Sequence, residues 1–159
     1  MREVANESYE LIRGVLETLH PALPPHLANL LLNQIRSIAD HSKSAYKFIE
    51  QGQPRLLTPD AMRQVFFAFL EAIRNVDKHA NAQNIEVSLV WGDDELNLSI
   101  RDDGRGLNPE SQWRNAHFGL EIMRERIEAL GGSFSIQTGS GDGTRVAFLL
   151  PLKAIQEMV

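Results

Sequence analysis

Residues 58–80, T-P-D-A-M-R-Q-V-F-F-A-F-L-E-A-I-R-N-V-D-K-H-A, decide how this chain is read. Thr58 can cap a helix, Pro59 suits the first helical position with its fixed φ and missing donor, and Asp60 puts a negative charge where the helix dipole favours one. A helix is expected to start here. Met62, Val65, Phe66, Phe69, Ile73 and Val76 recur at helical spacing on one face. Glu71, Asn75 and His79 advance by four and so sit about 40° apart on the opposite face, with Lys78 beside them. A polar row opposite an apolar stripe is commonly just the solvated side of a surface helix. Phe67 argues otherwise. It lies one turn before Glu71 on the polar side, so another element should cover that face, and a covered Glu or Asn needs a partner.

The remaining composition narrows the function classes. A chain of 159 residues, 43% hydrophobic, suffices for one domain with its own core. Its 16 basic and 21 acidic residues give a formal charge of −5 with no Lys/Arg cluster, which disfavours a nucleic-acid partner held by phosphate neutralisation. The absence of cysteine removes disulfides, thiolate metal sites and cysteine nucleophiles, and is compatible with a reducing compartment. The longest apolar run, residues 65–70, is far short of the roughly 20 residues of a membrane span, and Met1 is not followed by a signal-peptide pattern. A soluble, cytoplasmic chain without membrane contact is expected.

Outward from the central helix, residues 2–19 carry Val4, Leu11, Ile12, Val15, Leu16 and Leu19 at helical spacing, until Pro21, Pro24 and Pro25 stop the pattern. Leu27, Leu30, Leu31, Ile35 and Ile38 mark a second helix ending near Asp40, and Tyr46 and Phe48 alternate as in a short edge strand before Gly52 and Pro54. After residue 80 the period changes from 3.6 to 2. Ile85, Val87 and Leu89, the turn G-D-D-E, then Leu96, Leu98 and Ile100 form a hairpin with one buried face. Asp102-Asp103-Gly104-Arg105-Gly106 and a loop reaching His117 follow; Leu120, Met123, Ile127 and Leu130 mark a helix beginning near Gly119 and closed by Gly131 and Gly132. Two strands, with Phe134 and Ile136 on one and Val146, Phe148 and Leu150 on the other, flank the glycine-rich turn 139–144; the tail is either a short helix or frayed. These elements predict an α+β fold, a two-layer sandwich with helices on one face of a mixed, largely antiparallel sheet.

Glycine lets backbone approach a ligand closely, and a helix start offers free N–H groups to an anion, so the glycine segments beside the polar row suit phosphate. Each glycine motif alone is weak, since D-D-G-R-G could be a tight turn, and neither G-x-x-x-x-G-K-[ST] nor G-x-G-x-x-G after a first strand is present. Together and in order they resemble the ATP-binding domain of sensor histidine kinases, within the superfamily of gyrase, heat-shock chaperone, histidine kinase and mismatch-repair ATPases, and most of all its nitrate-sensor type. The family's helix motif E-x-x-x-N-x-x-K-H-A reads E-A-I-R-N-V-D-K-H-A from Glu71. Its D-x-G-x-G falls on Asp102, Gly104 and Gly106, its G-L-x-x-M-R-E-R begins at Gly119, L-G-G begins at Leu130, and the closing G-T is Gly143-Thr144.

The resemblance implies the Bergerat-type two-layer sandwich and a site for ATP and Mg²⁺. By it, Asn75 gives an amide oxygen to Mg²⁺, Lys78 and His79 offset phosphate charge, and Glu71 is the general base or orients the attacking group. Asp102 accepts from the adenine amino group and rejects the guanine keto oxygen. Gly104 and Gly106 line the base pocket, Gly119 and Leu120 present backbone N–H to phosphates, and Thr144 supports Asp102 directly or through water. The implied reaction is γ-phosphoryl transfer to a histidine on a dimerisation domain absent from this chain, in a homodimer, for relay to a response regulator. None of His20, His26, His41, His79 and His117 has the setting of that acceptor. Residues 1–25 look like the remnant of a dimerisation hairpin helix and its linker, and residues 26–159 like the ATP-binding catalytic domain. Departures are Asp103, where much of the superfamily has Asn, and Arg74, where a small hydroxyl residue is common. The alternative is an ATP-binding regulatory module, anti-sigma-like or nucleotide-gated, without histidine phosphotransfer.

Overall fold

The computed structural model describes residues 26–106, 113–139 and 141–158. The helix expected over residues 2–19 lies outside them. In chain order the elements are helix α1 (Leu27–Ser42), strand β1 (Ala45–Gly52), helix α2 (Pro59–Asn75), a π-helix (Val76–Ala80), strands β2 (Asn84–Trp91) and β3 (Glu95–Asp102), helix α3 (Trp113–Ala129), strands β4 (Ser133–Gly139) and β5 (Gly143–Pro151), and the short helix α4 (Leu152–Ile155).

The five strands form one sheet in the order β1-β2-β3-β5-β4. β1 runs parallel to β2 at the edge, as an edge strand was expected there, and the other neighbours are antiparallel. Alternation does what the sequence predicts: Ile85, Val87 and Leu89 on β2 and Leu96, Leu98 and Ile100 on β3 are buried, while Glu86 and Asn97 point outward. The helices cover this inner face. Leu27, Leu30, Leu31 and Ile35 of α1, Val65, Phe66, Phe69 and Ile73 of α2, and Leu120, Met123 and Ile127 of α3 join the strands in one core. Fully burying each such side chain stabilises the fold by about 1.5–3 kcal/mol.

The start of α2 is as the sequence dictates. The Thr58 hydroxyl accepts from the Ala61 amide at 3.2 Å, with Pro59 at the first position and Asp60 in the first turn. The end of α3 likewise closes on Gly131, at φ 78°, with the Gly132 amide returning to the Ile127 carbonyl at 3.0 Å. The tail, left open between helix and frayed end, is α4, whose Leu152 and Ile155 are buried. Among the described residues, no helix is long and apolar enough to cross a membrane.

Candidate functional site

A cleft opens between the C-terminal half of α2, the start of the π-helix, α3 and the ends of β3 and β5. It is lined by Ala72, Asn75, Val76, Ile100, Asp102, Gly106, Leu120, Ile136, Thr144 and Val146, and the space among them, open solvent included, is about 400 Å³. Five residues singled out in the sequence meet here: Asn75, Asp102, Gly106, Leu120 and Thr144. The apolar walls, Ile100, Ile136 and Val146, were legible only as core, and Ala72 carried no signal beyond helix propensity.

Asp102 ends β3 on the inner face, opposite Thr144 of β5, and is the one buried charged residue among those described. Its Oδ1 accepts from the Gly104 amide at 2.9 Å. Burial pushes its pKa up; hydrogen bonds from the Gly104 and Thr144 backbone pull it back, and the neighbouring Asp103 charge adds to the rise. The Thr144 hydroxyl itself lies 3.0 Å from that of Thr138. The loop after Asp102 is fixed from two directions. Asp103 Oδ1 accepts from the Gln83 and Asn84 amides, both at 2.8 Å, and its Oδ2 accepts from the Asn84 side chain at 2.7 Å. Those bonds hold the Asp103 pKa below the ordinary value, the Asn84 side chain foremost. On the other side, the Gly141 amide donates to the Arg105 carbonyl at 2.8 Å, and Gly106, at φ 73°, sits so close that a Cβ would overlap the Gly139 carbonyl oxygen. The two glycine-rich segments are thus packed on one another.

The expectation that something covers the Phe67 side of α2 is borne out: the cover is α3. The Arg126 guanidinium of α3 lies 4.6 Å from the Phe67 ring centroid. Glu71 is half-buried in this contact, with Arg74 Nη1 donating to its Oε1 at 3.3 Å. A Cβ placed on Gly119 would stand 3.4 Å from Glu71 Oε2 and 4.0 Å from Asn75 Oδ1, so one carboxylate and one amide oxygen approach the same point above that glycine.

Two expectations about backbone are corrected. The helix thought to begin near Gly119 begins at Trp113. Residues 113–118, W-R-N-A-H-F, contain no glycine or proline to stop it. The amides of Gly119 and Leu120 therefore belong to the helical ladder and are not free N-terminal donors. Gly119 supplies space, and Leu120 a buried side chain in the cleft wall. The second correction concerns the polar row. The α-helix ends at Asn75, and Val76–Ala80 continue as a π-helix closed by Asn81 at φ 49°. A π-turn takes more residues than an α-turn, so position 79 does not follow Asn75 by the regular helical step. Lys78 is exposed on this segment and does not line the cleft. The side chain of His79 lies outside the described residues. The π-helix is tied to the end of α1, where His41 Nδ1 and Asp77 Oδ1 are 3.1 Å apart.

In chemical terms the cleft offers a buried acceptor beside apolar walls, with the Asn75 amide oxygen in its lining and the Glu71 carboxylate beside it across Gly119. The first suits a flat base bearing an amino group. The second is the donor type a hard cation takes: Mg²⁺ is commonly held by one or two protein oxygens, with phosphate oxygens and water completing its shell. Among the described residues no three His, Asp or Glu gather as a metal cage, so such a cation would depend on its phosphate.

Residues 60–154 match the family described as histidine kinase-, DNA gyrase B-, and HSP90-like ATPase. The chain is 34% identical over 148 residues to the nitrate/nitrite sensor protein NarQ of Escherichia coli, covering 91% of this chain and 26% of that protein. It is 31% identical over 150 residues to the signal transduction histidine-protein kinase/phosphatase UhpB of Salmonella typhimurium, covering 92% and 29%. The chain therefore spans under a third of the length of these relatives. Among solved structures, the histidine kinase domain of the blue-light activated kinase EL346 from Erythrobacter litoralis superposes with a TM-score of 0.66 at 22% identity, over 87% of this chain and 68% of that one. That likeness is one of fold.

Proposed function

This chain belongs to the histidine kinase-, DNA gyrase B- and HSP90-like ATPase family, and from that premise we propose that it is the Mg²⁺-ATP-binding catalytic domain of a sensor histidine kinase. It directs the γ-phosphoryl group of ATP to a histidine on a dimerisation domain outside this chain, for relay to a response regulator. The single observation that carries the nucleotide assignment is Asp102: a buried carboxylate, held by backbone amides beside the apolar Ile100, Ile136 and Val146 of the cleft. The Gly104 and Thr144 amides already meet this carboxylate, and its remaining lone pairs can accept from the adenine amino group.

Each residue then has a task. Asp102 accepts from the adenine amino group, Ile100, Ile136 and Val146 flank the base, and Gly104 and Gly106 hold the loop that places Asp102. Asn75 contributes its amide oxygen to Mg²⁺, which when bound neutralises phosphate charge. The family resemblance gives Lys78 and His79 the part of offsetting phosphate charge from the π-helix, Lys78 from outside the cleft lining. Gly119 leaves room beside Glu71 and Asn75, Leu120 closes the wall, and Thr144 holds Asp102 through its backbone. Glu71 orients or deprotonates the attacking group. Residues 1–25 would be the remnant of the dimerisation hairpin and its linker, residues 26–159 the catalytic domain, and the whole a cytoplasmic part of a homodimeric sensor.

Calorimetry with ATP and GTP, with and without Mg²⁺, tests this reading. ATP should bind and gain affinity with Mg²⁺, and GTP should bind at least about thirtyfold more weakly, since its keto oxygen would face the Asp102 carboxylate. Equal affinity for GTP, or no ATP binding, would refute the assignment.

A further inference from the structure

Between α2 and α3 lies a cation that the functional reading leaves without a task. Arg126 rests on the Phe67 ring at 4.6 Å and donates from Nη1 to Gln64 Oε1 at 2.7 Å. Gln64, Phe67 and Glu71 follow one another along α2 by steps of three and four, so the row that carries this guanidinium ends at Glu71. Arg126 Nε is buried and has no hydrogen-bond partner among the described residues. Burial pushes the Arg126 pKa down, the Glu71 carboxylate pushes it back up, and Arg63 works with burial. A guanidinium withdrawn from water needs an offset for its lost hydration. The described groups that give one are the face of Phe67, the Gln64 oxygen and the charge of Glu71.

Resting on the nucleotide reading above, we propose that Arg126 is a positioning residue for Glu71. Planted on Phe67 and Gln64, its charge draws the Glu71 carboxylate to the α3 side of the cleft, where the missing side chain of Gly119 leaves it room. Arg74 competes from the other side. That pair, at 3.3 Å, has side chains 37% and 27% exposed and is the more readily screened by water. Arg74 holds the carboxylate by direct contact, and Arg126 biases it through space from the covered interface, where screening is weaker.

Two substitutions separate charge from packing. Arg126→Met keeps much of the stem over Phe67 and removes the charge; Arg126→Lys keeps the charge without the planar fork. In nitrogen-15 spectra of this chain, Glu71→Gln should shift the Arg126 Nε–H resonance and speed its exchange about tenfold or more, while Arg74→Ser leaves it in place. An unmoved Arg126 resonance in Glu71→Gln overturns the proposal, whether or not nucleotide binds. With a phosphoacceptor domain supplied, Arg126→Met should lower kcat about tenfold at a nearly unchanged KM for Mg²⁺-ATP, and Arg126→Lys should recover part of the loss. In a Glu71→Gln background the same Arg126→Met change should cost less than about twofold. Equal losses in both backgrounds would make Arg126 a structural tie between helices and sink the positioning role. Failure of the unaltered chain to bind Mg²⁺-ATP would count against the nucleotide reading alone, and the resonance measurement would still decide what Arg126 does.

Discussion

Asp102 is where stability and the proposed function pull in opposite directions. Burial raises its pKa above the ordinary 3.8, so the folded chain holds this proton more tightly than the unfolded one. The stability linked to that proton is complete below the unfolded value and is lost as pH rises through the folded pKa. Asp102→Asn has no charge to bury and keeps an oxygen for the Gly104 amide. Its stability relative to the unaltered chain should therefore climb as pH rises from about 3.8 into the neutral range, as urea titrations at several pH values would register. Mg²⁺-ATP affinity should move the other way, falling by about 2 kcal/mol, or thirtyfold, because an amide nitrogen can present a donor to the adenine amino group. An equally stable variant that binds ATP normally would remove Asp102 from base recognition. The residue was legible in the sequence through its motif. Its burial was not, because that depends on Thr144, more than forty positions away in the chain and directly opposite in the sheet.

At the scale of elements, the sequence spoke through periodicity and caps, and failed where neither exists. The alternation in β2 and β3 and the Thr58-Pro59-Asp60 start of α2 are local patterns with local causes, and the structure follows them. The π-helix has no such pattern: residues 76–80 continue the helical spacing of the stretch before them, and only the fold determines that the turn widens. Gly119 reads as a helix boundary in the sequence, which places the start of α3 too late, while the space it leaves for Glu71 is a tertiary requirement. The packing of the two glycine segments is equally non-local. Gly106 and Gly143 both have positive φ, and a Cβ on either would overlap a backbone carbonyl oxygen, of Gly139 and of Asp102 respectively. Gly106→Ala should consequently lower stability by about 1–3 kcal/mol and weaken Mg²⁺-ATP binding, since the loop that carries Asp102 must shift. Denaturant melts and calorimetry on the same preparation check both. A stable variant with unchanged affinity would show that the loop tolerates displacement.

For the whole molecule, the position of the chain's last helix separates what holds the fold from what forms the cleft. The four residues of α4 are too few for a period to register in the sequence. In the fold it completes the core: Leu152 and Ile155 are buried against the sheet and α2, the Thr58 amide donates to the Ile155 carbonyl at 2.8 Å, and the Glu157 amide donates to the Leu56 carbonyl at 2.8 Å. The segment thereby fastens the first turn of α2. The cleft lies at the other end of that helix, about 25 Å away for 17 residues at 1.5 Å each. Ile155→Ala leaves a cavity where a fully buried side chain was, and should cost about 2–5 kcal/mol, a large part of the stability of a domain this size. Well below its melting temperature the variant should still bind Mg²⁺-ATP within about twofold of the unaltered chain, because distant sites without shared partners act independently. Denaturant titration paired with calorimetry at low temperature measures both quantities. A loss of affinity at a temperature where the variant is fully folded would mean that strain at the start of α2 reaches Glu71 and Asn75, and that the helix transmits between its ends as a rigid rod.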